Sequence, residues 1–145
     1  MASEYKPNFG VLALTASATL NADAYGGKTV ILNAAAGLSV TLPAATGSGV
    51  TFDVVVGTTV TSNALIVQVT TTDIIQGAVG VATDASGVVI PTAATSDTIT
   101  MNGSTTGGVK GSNLRVQDVA SGVWSVSGML VSTGTEATPF SAAVS

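Results

Sequence analysis

Leu38-Ser-Val-Thr-Leu42 alternates apolar and polar side chains, placing Leu38, Val40 and Leu42 on one face of an extended strand and Ser39 and Thr41 on the other. Pro43 closes the run, because proline has no amide hydrogen to give to a ladder. A short β-rich run followed by a turn recurs throughout the chain, and nothing else constrains the fold as strongly. Lys28 to Leu32 is another such run, closed by Asn33-Ala-Ala-Ala-Gly37, and Phe52-Asp-Val-Val-Val56 follows the Gly47-Ser-Gly49 turn. Leu65, Val67 and Val69 alternate with Ile66, Gln68 and Thr70, and shorter runs cover Val88 to Ile90 and Asp97 to Met101. Leu114 to Val119 and Val123 to Ser127 read as a hairpin across Ala120-Ser-Gly122, where Gly122 accepts positive φ without steric cost.

Helices find no support. Only 8% of residues are charged, against about 25% in an ordinary soluble domain, so no stretch has the polar face of an amphipathic helix. Thr and Val take their place, stiff at χ1 and suited to a pleated surface. Ala34 to Ala36 is the one helical hint, and Asn33 and Gly37 leave it room for a single turn. With 46% hydrophobic residues the chain can bury a core and is not a disordered sequence. The expected fold is all-β: a jelly-roll or β-sandwich of roughly eight short antiparallel strands with an N-terminal arm. The arm covers residues 1–16, the β-sandwich domain 17–131, and a flexible small-residue tail interrupted by Pro139 covers 132–145.

Several function classes are disfavoured. Net charge is -4 and the four cations, Lys6, Lys28, Lys110 and Arg115, are scattered, so no basic patch awaits nucleic acid or an anionic membrane. No apolar run approaches the roughly 20 residues that cross a bilayer. The first residues lack the apolar core of a signal peptide, which predicts folding in a cytoplasm. A surface so poor in charge suits a protein covered by neighbours, and so an oligomer or a part of an assembly.

Histidine and cysteine are both absent, removing the commonest general base, the thiol nucleophile and the zinc thiolates. A Ser–Lys pair remains formally open at Ser112 with Lys110 and at Ser3 with Lys6. The acids Glu4, Asp23, Asp53, Asp73, Asp84, Asp97, Asp118 and Glu136 are spread singly, as expected of side chains that cap backbone groups at turns and strand ends. Asp73 and Asp84 offer oxygens to a structural ion at an interface, without the spacing of a calcium loop. Gly103-Ser-Thr-Thr-Gly-Gly108 lacks the Gly-Lys-Ser/Thr and helix of a phosphate loop and reads as a turn. No catalytic residue, cofactor or metal ligand is assigned. Trp124, sharing a face with Val126, is the single large anchor, for the core or for an interface.

Taken in order, several segments carry a family resemblance. They are Gly26-Gly-Lys-Thr-Val-Ile-Leu-Asn33, Ala36-Gly-Leu-Ser-Val-Thr-Leu-Pro-Ala44, Gly49-Val-Thr-Phe-Asp-Val-Val-Val56, Thr61-Ser-Asn-Ala64, Asp73-Ile-Ile-Gln-Gly77, Ser96-Asp-Thr-Ile-Thr100 and Val123-Trp-Ser-Val-Ser-Gly128. This succession resembles the head decoration (capsid cement) proteins of tailed bacteriophages, over about Thr19 to Gly128. The resemblance implies a non-enzymatic homotrimer on the outer face of an icosahedral shell, bridging copies of the major capsid protein. On that reading the arm is a strap, since Tyr5, Phe9 and Leu12 have no local core and need an external surface. The alternative is a receptor-binding or tail-fibre β module that recognises the bacterial surface.

Overall fold

The computed structural model describes residues 10–70 and 72–144. The first half of the chain holds β1 (Val11–Leu14), β2 (Ala18–Thr19), the one-turn helix α1 (Ala22–Tyr25), β3 (Thr29–Leu32), β4 (Leu38–Thr41), β5 (Thr51–Val56) and β6 (Leu65–Gln68). The second half holds β7 (Ile74–Ala82), β8 (Gly87–Pro91), β9 (Thr98–Met101), β10 (Asn113–Ala120), β11 (Val123–Val131) and β12 (Phe140–Ser141). A long sheet runs β1-β3-β5-β10-β11-β7-β8, and a shorter one runs β12-β9-β6-β4-β2. Their inner faces share one core, built from the residues whose alternation is legible in the sequence. Val30 and Leu32, Leu38 and Val40, Phe52 and Val54, Leu65 and Val67, and Leu114 and Val116 all point inward.

The all-β sandwich stands, but its pairing differs from the antiparallel expectation. Among the described residues there are twelve strands against the roughly eight expected, and both sheets are mixed. β1 with β3, β3 with β5, β2 with β4, β4 with β6, and β7 with β11 are parallel. The reason lies in the path. From β1 to β6 each strand is followed by one in the opposite sheet, so the chain re-enters a sheet in the direction it last had there. Parallel neighbours normally need a crossover helix; here a strand of the facing sheet supplies the crossover. The first six strands are thus a two-sided coil, and the second half closes it with hairpins.

The β10–β11 hairpin is where the sequence places it, with a bulge between Asp118 and Ala120 and Gly122 at φ 77°. Gly128, at φ 147°, passes so close to Asn113 and Leu114 that a Cβ there would strike the β10 backbone. The helical hint at Ala34 to Ala36 is instead a turn, closed by the Gly37 amide donating to the Ala34 carbonyl at 3.0 Å. The one-turn helix forms at Ala22–Tyr25, where the Asn21 side chain accepts from the Ala24 amide at 2.8 Å.

Both ends of the body extend further than the sequence boundaries place them. Val11–Leu14, assigned to the arm, are laddered to β3. Within the tail, Phe140–Ser141 pair with β9, and Asp97 Oδ1 accepts from the Ala143 and Val144 amides at 2.8 and 3.2 Å. The described part of the tail is therefore tied down from Phe140 to Val144.

Candidate functional site

Outward-facing residues of the long sheet line up in rows across its strands. One row runs Ala13, Ile31, Val55, Asn113, Met129, Gly80 and Val89, each the register partner of the next. It is apolar except at Asn113; Ile31 and Val55 are half-buried and Gly80 is buried, while Met129 is 53% exposed and Val89 is 73% exposed. The neighbouring row, Val11, Thr29, Asp53, Arg115 and Ser127, is polar in its middle. There Arg115 Nε donates to Asp53 Oδ1 at 3.0 Å, so the two charges of this row neutralise each other. Thr29, Asp53, Asn113, Arg115 and Ser127 border a shallow concavity of about 500 Å³ with no aromatic ring in its lining.

Both edges of the long sheet are open. β1 and β8 are its terminal strands, and among the described residues no strand pairs with their outer sides. β8 carries no charged side chain, and Val88 and Val89 are both exposed. Such an edge is a ready template for another strand.

Of the residues singled out in the sequence, Leu12 lies half-buried in β1, while Tyr5 and Phe9 lie outside the described residues. Trp124 is fully buried, its ring 5.7 Å from that of Phe52 and its Nε1–H donating to the Pro43 carbonyl at 3.2 Å. It faces the core and presents no surface to another chain.

The buried acids work as caps. Asp73 Oδ2 accepts from the Ala45 amide at 2.7 Å. Asp118 sits inside the loop between β4 and β5 and accepts from the amides of Thr46, Gly47 and Ser48 and from the Ser48 hydroxyl. Burial pushes the Asp118 carboxyl up, but the donors of Thr46, Ser48 and Gly47 outweigh it and hold the group at about 2. Local sequence gives no sign of this cage, since its two halves are 70 or more residues apart.

The Ser112–Lys110 pair does not become a site. Ser112 Oγ accepts from the Val131 amide at 2.9 Å and donates to the Val109 carbonyl at 2.8 Å, which uses it as a buried loop lock. Ser3 and Lys6 lie outside the described residues. Ser112→Ala is expected to cost about 1–2 kcal/mol in urea unfolding, because the Val131 amide loses its acceptor. An unchanged midpoint would mean the hydroxyl holds nothing. The Gly103 to Gly108 stretch is a turn wound on Asn102, whose Oδ1 accepts from the Ser104, Thr105 and Thr106 amides.

Asp84 and Glu136, far apart in sequence, line one open groove. The Ser86 hydroxyl donates to Glu136 at 2.6 Å and holds its carboxyl below the ordinary range. A general acid needs the opposite shift. Among the described residues no three Asp or Glu side chains gather as metal ligands, and no helix is long and apolar enough to cross a membrane. Set against protein-family models, curated proteins and solved structures, the chain matches none.

Proposed function

We propose that the chain is a capsid decoration (cement) protein of a tailed bacteriophage: a non-enzymatic homotrimer, made in the host cytoplasm and seated on the outer face of the head. The family resemblance of its strand-and-turn segments motivates this reading. The observation that carries it is the outer edge of β1, which no strand covers among the described residues, because the segment bearing Tyr5 and Phe9 precedes that edge strand directly in the sequence. An edge strand with open backbone groups, preceded by a segment that carries two aromatic side chains, is suited to strand addition onto a neighbouring sheet. The partner is the major capsid protein. Binding only to the assembled shell stabilises that shell by mass action, and a trimer multiplies each contact through effective concentration.

The test is binding of the purified protein to expanded capsids stripped of accessory proteins, read by electron microscopy. Regular occupancy of positions on the shell is expected. Deleting residues 1–9 spares the β1 ladder, which begins at Val11, and is expected to lower occupancy at least tenfold. Unchanged binding by the truncated protein would end the strap role. Adsorption to host cells in place of shells would assign the chain to a receptor-binding module instead.

A further inference from the structure

We infer that Asn102–Gly103 is a self-modification site held shut by its own turn, converting to aspartate and isoaspartate only in chains whose 102–108 turn has opened. It is the one Asn-Gly pair in the sequence. Glycine after asparagine favours the reaction, because no Cβ hinders the approach of its nitrogen. Once stripped of its proton, the Gly103 nitrogen attacks Asn102 Cγ. The Cγ–Nδ2 bond then breaks, and Nδ2 takes up a proton and leaves as ammonia. Water opens the resulting five-membered imide at either carbonyl, which gives aspartate or isoaspartate. Water is the only co-reactant, and Asn102 is exposed to it.

Both reacting groups are tied in the folded chain. The Gly103 N–H donates to the Gly107 carbonyl at 2.7 Å, so the proton that must leave is shielded until the turn opens. Asn102 Oδ1 accepts from the amides of Ser104, Thr105 and Thr106 at 2.8, 2.9 and 3.2 Å, and Nδ2 donates to Thr105 Oγ1 at 2.9 Å. These bonds fix the carboxamide plane. The three donors also polarise Cγ, but a nitrogen that keeps its proton is no nucleophile, so the engaged Gly103 amide decides the outcome. The turn is fastened from outside as well. The Gly107 amide donates to Ser132 Oγ at 2.9 Å, and the Thr133 and Gly134 amides donate to the Ser104 carbonyl at 2.9 and 3.1 Å.

The labile pair has a structural reason on each side. Asn102 gathers three turn amides, and a Cβ at position 103 would strike the Val60 carbonyl. Aspartate keeps the accepting oxygen at position 102. Isoaspartate instead inserts a methylene into the main chain ahead of the Gly103 nitrogen and moves that nitrogen away from Gly107. Conversion to isoaspartate is therefore a permanent mark on a chain that has opened here, whatever the protein decorates.

The test follows Asn102 in the full-length chain, in mildly alkaline buffer with and without urea, by peptide mapping and mass spectrometry. A short synthetic peptide spanning Thr100 to Thr105 is run beside it, and hydrogen exchange of the Gly103 amide is measured on the same protein samples. The peptide and the urea-unfolded chain are expected to convert at similar rates, and the folded chain at least about tenfold more slowly. Below the unfolding transition, added urea should speed conversion and Gly103 exchange by the same factor, since both need that one proton released. Ser132→Ala frees the Gly107 amide and should likewise raise the two rates together. Folded chain converting as fast as the peptide overturns the inference. So does conversion that fails to follow Gly103 exchange, in urea or in the variant.

Discussion

Trp124→Ala is expected to destabilise the protein by about 4 kcal/mol, the range for emptying a large aromatic site in a core. The ring is fully buried and packs against Phe52. Its indole N–H also ties the Pro43 carbonyl, where β4 of the short sheet hands the chain across to β5 of the long one. For a domain of this size the melting temperature should fall by about 12 °C. Trp124→Phe keeps the ring contact but releases Pro43, and is expected to cost about 1–2 kcal/mol. Urea unfolding of both variants separates the two contributions. A loss under about 1 kcal/mol for the alanine variant would show that the core closes without this anchor.

Asp118→Asn attacks the same crossing from the other side and is expected to cost about 2–3 kcal/mol. The carboxylate meets only donors, from Thr46, Gly47 and Ser48. In either orientation an asparagine turns its own amide hydrogens toward at least one of them. The pH dependence follows from the same cage. The folded pKa of about 2 lies below the ordinary 3.8, so the unfolded chain binds the proton more readily. The stabilisation is complete above about pH 4 and is lost as pH falls through about 2. Melting temperature of the parent should therefore drop across that window, and that of Asp118→Asn should drop less. Parallel curves would rule out the cage as the source of the acid sensitivity.

The inward and outward faces were legible in the sequence because alternation is local. Leu38, Val40 and Leu42 declare a shared face within five residues, and the β10–β11 turn declares itself through Gly122. Partner choice is not local. Val40 neighbours Ala18 and Val67, and no pattern around Val40 distinguishes those partners from a hairpin return. The same limit explains the two misplaced boundaries. Val11 to Leu14 and Phe140 to Ser141 are short and weakly patterned, and they belong to the body through β3 and β9. For the candidate surface, the sequence showed scarce charge and Trp124 as a core candidate. The row through Met129 and Val89 emerges only once the registers of the seven strands are known.

The order of strands in the long sheet also sets a timetable for synthesis. β7 and β8 leave the ribosome together as a hairpin, but the strand that joins β7 to the rest of the sheet is β11, about 50 residues later in the chain. At about 5–20 residues per second, that hairpin waits several seconds with one long edge unpaired. Neither the sheet nor the patch formed by Met129 and Val89 exists before β11 is docked. The outward row through Met129 and Val89 is therefore among the last features of this face to form.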